Sequence, residues 1–309
     1  MRLLRRLLLA VVVLTTIGAA ILWWRAGVLH AEQVRPGVWA LSGIGGNVGV
    51  LVTDAGTVVV DSMTFVRQGR RIEERIGALT DQPIAALINT HYHLDHTHGN
   101  PAFPTGTRVV STKRTLEHLQ ELDASYWAEP PARDLMPHET FTKDWTLEVG
   151  GQTVRAIYPG RGHTDGDLVV LFEEARVLHA GDLVWNGFWP KVDPEAGGTL
   201  FAWPATLDVI LQLDFDIVIP SHGPVATRVE VEEFQTFLVS LWRQTFRSVA
   251  SGVSRTETIG AVDLEEFGMR RLWYAPQLSR SLLIGNAYDE ARTRQAALKR
   301  FGEQSRATP

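Results

Sequence analysis

Four side chains able to bind a metal lie within the six residues His91-Tyr92-His93-Leu94-Asp95-His96, at the spacing H-x-H-x-D-H. The apolar run Ile84-Ala85-Ala86-Leu87-Ile88 precedes them and ends in Asn89-Thr90. That pattern reads as a buried strand delivering its end into a loop. Imidazoles and a carboxylate crowded at a strand end make a poor core, because buried polar atoms need partners. They are well suited to holding one or two divalent cations.

Later positions extend the cluster. His163 lies in the glycine-punctuated loop Pro159-Gly160-Arg161-Gly162-His163-Thr164-Asp165-Gly166. Asp182 closes His179-Ala180-Gly181-Asp182, and His222 sits in Ile219-Pro220-Ser221-His222-Gly223-Pro224. Each follows an apolar run and stands beside glycine or proline. A rigid strand end holds a ligand in place, and nearby glycine lets the backbone approach. The chain has no cysteine, so thiolate ligands, cysteine nucleophiles and disulfides are excluded. A metal here is held by nitrogen and oxygen.

Taken in order, H-x-H-x-D-H, G-H-T-x-G, G-D and S-H-G resemble the metallo-β-lactamase superfamily over Val34 to Thr227. The resemblance implies an α/β (α+β) chain folded as a four-layer αβ/βα sandwich, with a binuclear site between the sheet edges. By motif match, His91, His93 and His163 hold the first metal. Asp95, His96 and His222 hold the second, and Asp182 bridges the two. Two zinc ions are implied, and the same ligands can serve iron. The implied activity is a zinc-dependent hydrolase whose metal-bound hydroxide cleaves an ester-like bond, with Asp95 orienting the nucleophile. An acid in the place of Asp61, at the end of Val58-Val59-Val60, supports the metal loop by hydrogen bonding. His98 is expected beside the ligands or facing substrate.

The resemblance narrows the substrate only in part. Two classes of metallo-β-lactamase carry cysteine where this chain has Asp182, and a third carries serine. That difference points towards thioesters and lactones, with β-lactams a lesser expectation. Asn89 through Asn100, Gly166 through Val170 and Ala180 through Gly187 are most similar to glyoxalase II-like thioesterases and to exported zinc hydrolases of the quinoprotein-relay and Sox-associated type. One alternative is an iron-dependent oxidoreductase of the persulfide dioxygenase type. Another is a non-catalytic metal-binding module at a membrane. Specificity is expected from the aromatic residues Trp185, Phe188, Trp189, Phe201 and Trp203, which can wall an apolar pocket or fill the core. Tyr126 and Trp127 are weaker candidates.

The N-terminus bears on location. Arg2, Arg5 and Arg6 precede an uncharged run from Leu7 to Trp24, which Arg25 closes. A basic start and an apolar run read as an export signal or an uncleaved membrane anchor. Trp23-Trp24 suits a membrane interface, and the flanking arginines favour an exported, periplasmic or extracytoplasmic body. Residues 1–31 are assigned to this segment and 32–309 to the catalytic domain, its helical part from about 228 onward. A formal charge of −5 argues against a nucleic-acid partner, which usually needs a basic face. A small-molecule substrate is expected instead, and the oligomeric state is open.

The remaining elements are read from periodicity. Strands are expected at 37–41, 47–52, 57–61, 146–149, 153–158, 168–172, 176–180 and 217–220. Helices are expected at 65–79, 112–122, 201–213, 229–249 and 275–301, with Ser111 or Thr112 as an N-cap. The segment 123–140, with three prolines, reads as a long loop.

Overall fold

The computed structural model describes residues 27–307 and scattered positions before them (5, 6, 11–13, 15, 16 and 18). The apolar run expected as a signal or anchor thus lies mostly outside the described residues. Among the described residues, no helix is long and apolar enough to cross a membrane.

Among the described residues, thirteen strands form two sheets. The first holds β1 (His30–Arg35), β2 (Val38–Ser42), β3 (Val48–Val52), β4 (Thr57–Val60), β5 (Ile84–Ile88), β6 (Val109–Thr112) and β7 (Glu139–Phe141), in that spatial order. Its first four strands pair antiparallel, and β4 through β7 pair parallel. The second sheet runs β13 (Ala226–Thr227), β12 (Ile217–His222), β11 (Val177–Trp185), β10 (Val169–Phe172), β9 (Gln152–Ile157) and β8 (Asp144–Val149). Only β11 and β12 are parallel in it.

Side chains alternate between two cores, as the pleat requires. Val58 and Val60 face the other sheet's Val170 and Phe172, while Val59 turns outward. On the outer face of the first sheet, Val59, Leu87 and Val109 meet Ile72 and Ile76 of α1 (Val66–Gly77). On the outer face of the second, Leu171 and Leu178 meet three helices. These are α5 (Trp203–Ile210), α6 (Arg228–Ala250) and α8 (Arg280–Ala307). The result is four layers, helix–sheet–sheet–helix, as the resemblance implied.

Between those elements lie short helices: α2 (Leu94–Thr97), α3 (Lys113–Leu122), α4 (Ala124–Trp127) and α7 (Arg255–Ala261). Thr112 is the N-cap of α3, its hydroxyl accepting from the Thr115 amide, which satisfies one unpaired donor of the first turn.

Several boundaries differ from the sequence reading. Strand β1 begins at His30 and pairs His30 with Ser42 and Ala31 with Leu41, so the folded body takes in residues assigned to the N-terminal segment. Its side chains are mostly exposed, so it has no apolar alternation to reveal it. The segment read as a loop over 123–140 contains α4, a 3-10 turn at Arg133–Leu135 and the start of edge strand β7. The final helix starts at Arg280 rather than 275, because residues 268–279 form an irregular strap instead, with turns closed by the Ala275 N–H on the Leu272 carbonyl and the Leu278 N–H on the Ala275 carbonyl.

Candidate metal centre

The seven candidate ligands converge from both sheets. β5 ends at Ile88, and the turn behind it carries His91 and His93. The short helix α2 then swings Asp95 and His96 back over the same point. His163 arrives from the loop between β9 and β10, Asp182 from within β11, and His222 from the end of β12. The register of β11 against β12 shifts on both sides of Gly181. This bulge turns Asp182 inward. Gly181 has φ +52°, and a Cβ there would lie 2.9 Å from the Thr90 Cβ. Both constraints favour glycine at this position.

The ligand atoms form two groups, His91, His93, His163 and Asp182 in one and Asp95, His96 and His222 in the other. In the first, His91 Nε2 and His93 Nδ1 are 3.0 Å apart, and His163 Nε2 lies 3.2 Å and 2.8 Å from them. Zinc–imidazole bonds of about 2.0–2.1 Å at tetrahedral angles place nitrogens about 3.3 Å apart, so three lone pairs converge at nearly the spacing one cation needs. Asp182 gives one oxygen to each group. Its Oδ2 lies 3.2 Å from His163 Nε2 and 4.0 Å from His91 Nε2. Its Oδ1 lies 3.3 Å from His96 Nε2 and 3.4 Å from His222 Nε2. Asp95 Oδ2 sits 3.4 Å from His222 Nε2 and 3.8 Å from His96 Nε2.

Two buried atoms at the centre of this cluster, His96 Nε2 and Asp182 Oδ1, have no hydrogen-bond partner within the chain. A buried polar atom without a partner is costly. A cation between the groups would satisfy both, so the residues present fit a metal pair.

The outward nitrogen of every ligand ring is held in turn, which points the inward nitrogen at the cluster. His91 Nδ1 faces the Thr90 hydroxyl at 3.1 Å, and that hydroxyl donates to Asp61 Oδ2 at 2.7 Å. His93 Nε2 is 2.7 Å from Asp193 Oδ2. His163 Nδ1 is 2.8 Å from the Lys191 carbonyl, and His96 Nδ1 is 2.7 Å from Asp61 Oδ2. His222 Nδ1 is 3.3 Å from the Tyr274 hydroxyl, which donates to the Gly45 carbonyl at 3.2 Å.

Asp61 thus serves both groups. It is fully buried, with φ +66°, a strained conformation that Asp tolerates better than most residues. Asp193 accepts in addition from the Tyr92 hydroxyl at 2.7 Å.

The electrostatics of the two groups differ. Burial, then the neighbouring His96, holds His91 well below the ordinary histidine range. Burial pushes His93 down to about 4, aided by His163 and Lys191 against the pull of Asp193. Burial also opposes charge on His96, yet the carboxylates of Asp61, Asp95 and Asp182 together raise it well above the ordinary value. Burial works against the Asp182 carboxylate too, but the surrounding imidazoles hold it well below the usual range.

Other residues singled out from sequence fall elsewhere. His98 does not reach the ligands: its Nε2 bonds Asp123 Oδ2 at 2.7 Å and its ring stacks on Tyr126 at 3.5 Å. The C-terminal turn of α2 points it away, into a packing cluster beside Trp127. Of the aromatic group, only Trp185 lines the cleft over the metal ligands. Its ring lies 4.1 Å from that of His222, and its indole N–H donates to the Asp182 carbonyl at 2.9 Å. Trp189 turns into the core against Phe237, Trp203 is fully buried, and Phe201 packs on Trp242. Phe188 lies under the Arg270 guanidinium. Phe188 and Trp189 instead flank the point where residues 268–279 cross. Arg270 N–H donates to the Gly187 carbonyl at 3.0 Å, and Trp189 N–H to the Arg270 carbonyl at 3.0 Å.

Sequence reasoning missed Thr90, Lys191, Asp193 and Tyr274. Asp193 lay in a readable turn, Asp193-Pro194-Glu195-Ala196-Gly197-Gly198. Nothing in the sequence marks Tyr274, which reaches across from the C-terminal third.

The fold and this site agree with comparisons to known proteins. A family model described as the metallo-beta-lactamase superfamily matches residues 41–222. The chain belongs to the metallo-beta-lactamase superfamily. A metallo-beta-lactamase type 2 from Bacillus sp. (strain 170) is 27% identical, over 65% of this chain and 79% of its own length. A linear primary-alkylsulfatase from Pseudomonas sp. (strain ATCC 19151) is 24% identical, over 68% of this chain and 48% of its own. Among solved structures, a metallo-beta-lactamase from Pontibacter korlensis superposes with a TM-score of 0.58 at 23% identity, covering 68% of this chain and 99% of that one. That likeness shows the fold alone. The relatives' names span different reactions, so membership leaves the substrate to the site.

Proposed function

We propose that this chain is a zinc-dependent hydrolase holding two ions, and that it opens an ester-like bond such as a thioester or lactone, with a β-lactam within the same chemistry. The observation that carries the reading is Asp182, whose two oxygens face two separate ligand groups. His91, His93 and His163 would hold one ion; Asp95, His96 and His222 the other. Bound there, the ions supply an activated water at neutral pH and polarise the bond to be cleaved.

The remaining roles belong to the chain. Asp95 is 26% exposed, whereas Asp182, His96 and His222 are nearly closed to solvent. The Asp95 carboxylate therefore faces both the ligands and the cleft, where it orients the attacking water and accepts its proton. Trp185, its ring packed at a tilt against His222, covers that ligand and keeps bulk water from it. Thr90, Asp61, Asp193, Lys191 and Tyr274 hold the rings so that no reorganisation is needed on reaction. The basic and apolar N-terminal run supports an exported body, held by a signal or an anchor.

The test is turnover of a thioester and lactone panel by the zinc-loaded chain. Asp95→Asn should lower the rate by about 100-fold or more, and a chelator should abolish it until zinc is restored. Unchanged turnover in Asp95→Asn, or full activity after chelation, would refute the reading.

A further inference from the structure

The cleft above the metal ligands has a volume of about 470 Å³. A water molecule occupies about 30 Å³ in the liquid, so there is room for on the order of fifteen. A small scissile group would leave most of that space unfilled.

The walls sort by depth. The floor is His93, Asp95, Asp182 and His222, of which Asp182 and His222 are buried and His93 and Asp95 half-buried. At the mouth stand Phe65, Leu94 and Leu282, with exposures of 43%, 50% and 41%. They come from three separate parts of the chain: the start of α1, the start of α2 and the start of α8. Ile44, Leu272 and Leu278 also line the cleft. Away from the floor and Tyr274, the polar side chains in the lining are Thr64, Lys191 and Gln277. Single exposed apolar residues are ordinary on a protein surface. Three that converge on the opening of one cleft, continuous with a metal centre, form an apolar groove.

That wall is also preformed. The strap from 268 to 279 is tied to residues 187–189 by the two Arg270 backbone bonds and to Gly45 through the Tyr274 hydroxyl. Leu272, within the strap, is buried. A groove held open on fixed elements binds an apolar ligand without first having to order its own walls.

We propose that the cleft takes the aliphatic tail of an amphiphilic substrate, with the scissile head on the Asp95–Asp182 floor and the chain running out between Leu94 and Leu282. This rests on the hydrolase reading only for what happens at the head. The tail contributes apolar burial, which tightens binding by about fourfold per methylene.

The experiment is a calorimetric titration of the zinc-loaded full chain with straight-chain alkanoates from butanoate to decanoate. Kd should fall about fourfold per added methylene until the cleft is filled. Leu282→Asn and Leu94→Asn should flatten that dependence. Leu122→Asn removes an exposed leucine on α3 outside the cleft and should leave it intact. A Kd that does not change with chain length, or a dependence that survives in both cleft variants, would overturn the proposal. Binding is read without turnover. A flat series beside active hydrolysis of short esters therefore sinks the tail alone. A steep series without hydrolysis sinks the hydrolase reading alone.

Discussion

The two halves of the metal cluster are built from similar rings and carry opposite electrostatics. Around His91, His93 and His163, burial keeps His91 and His93 neutral, and the outward nitrogens meet a hydroxyl, a carboxylate and a backbone carbonyl. Around Asp95, His96 and His222, three carboxylates surround one ring and raise His96 well above the ordinary histidine value, which favours its protonated form. The first half is thus ready for a cation as it stands. The second must release a proton before His96 can use its inward lone pair. On the proposed two-ion reading, the two halves should therefore fill differently.

The sharpest way to break the comparison is to remove what the halves share. Asp182→Asn takes a charged oxygen from both groups. Zinc affinity should fall at both, by more than the roughly 10–100-fold typical of losing an outer partner, and turnover should fall with it. Loss at one half only, read by metal analysis during dialysis, would mean that Asp182 does not serve both.

A second pair of variants separates the halves. Asp61→Asn should weaken the second site by about 10–100-fold, and Asp193→Asn the first by a similar factor. Zinc titrations with a competing chelator resolve the two steps. Asp61 also braces His91 through Thr90, so its effect on the first site should be present but smaller.

Acid sharpens the contrast next. The pKa of His96 is raised, so lower pH strengthens the proton's hold and weakens metal binding. Affinity at the second site should fall about tenfold per pH unit. At the first site, His93 is pushed down to about 4 and His91 also lies low, so neither ring adds a pH slope near neutrality. Equal slopes at the two sites would contradict the assignment.

The smallest effect is expected from Tyr274→Phe. The hydroxyl sits 3.3 Å from His222 Nδ1, a long contact, and its removal should cost the second site a few-fold in affinity, near the low end of outer-partner losses. The first site should not change.

How much of this was legible in the sequence follows from where each residue sits. The ligands stand at or just beyond strand ends, except Asp182 at the bulge within β11, and each lies beside glycine, proline or a tight turn, so apolar runs pointed to them directly. The layered fold was legible for the same reason: Val58-Val59-Val60 and Val169 through Phe172 are apolar on both faces, as strands between two cores must be. What escaped were side chains whose role depends on a distant partner. Tyr274 meets Gly45 across 229 positions, and no spacing rule spans that. The aromatic group after Asp182 misled because loop residues have no period that sets their facing. Trp185 is the last residue of β11 and turns to the ligands, whereas Phe188 and Trp189 lie beyond the strand and secure the strap. The polar surface of β1 hid a strand that only its partner β2 defines.

The central claim is a two-ion centre shared through Asp182. Its most direct test is the zinc content of the purified chain after removal of free metal, measured together with that of Asp182→Asn. Two ions per chain, falling in the variant, is the expected result. A chain that retains no transition metal, or two ions held equally well without the Asp182 carboxylate, would contradict it.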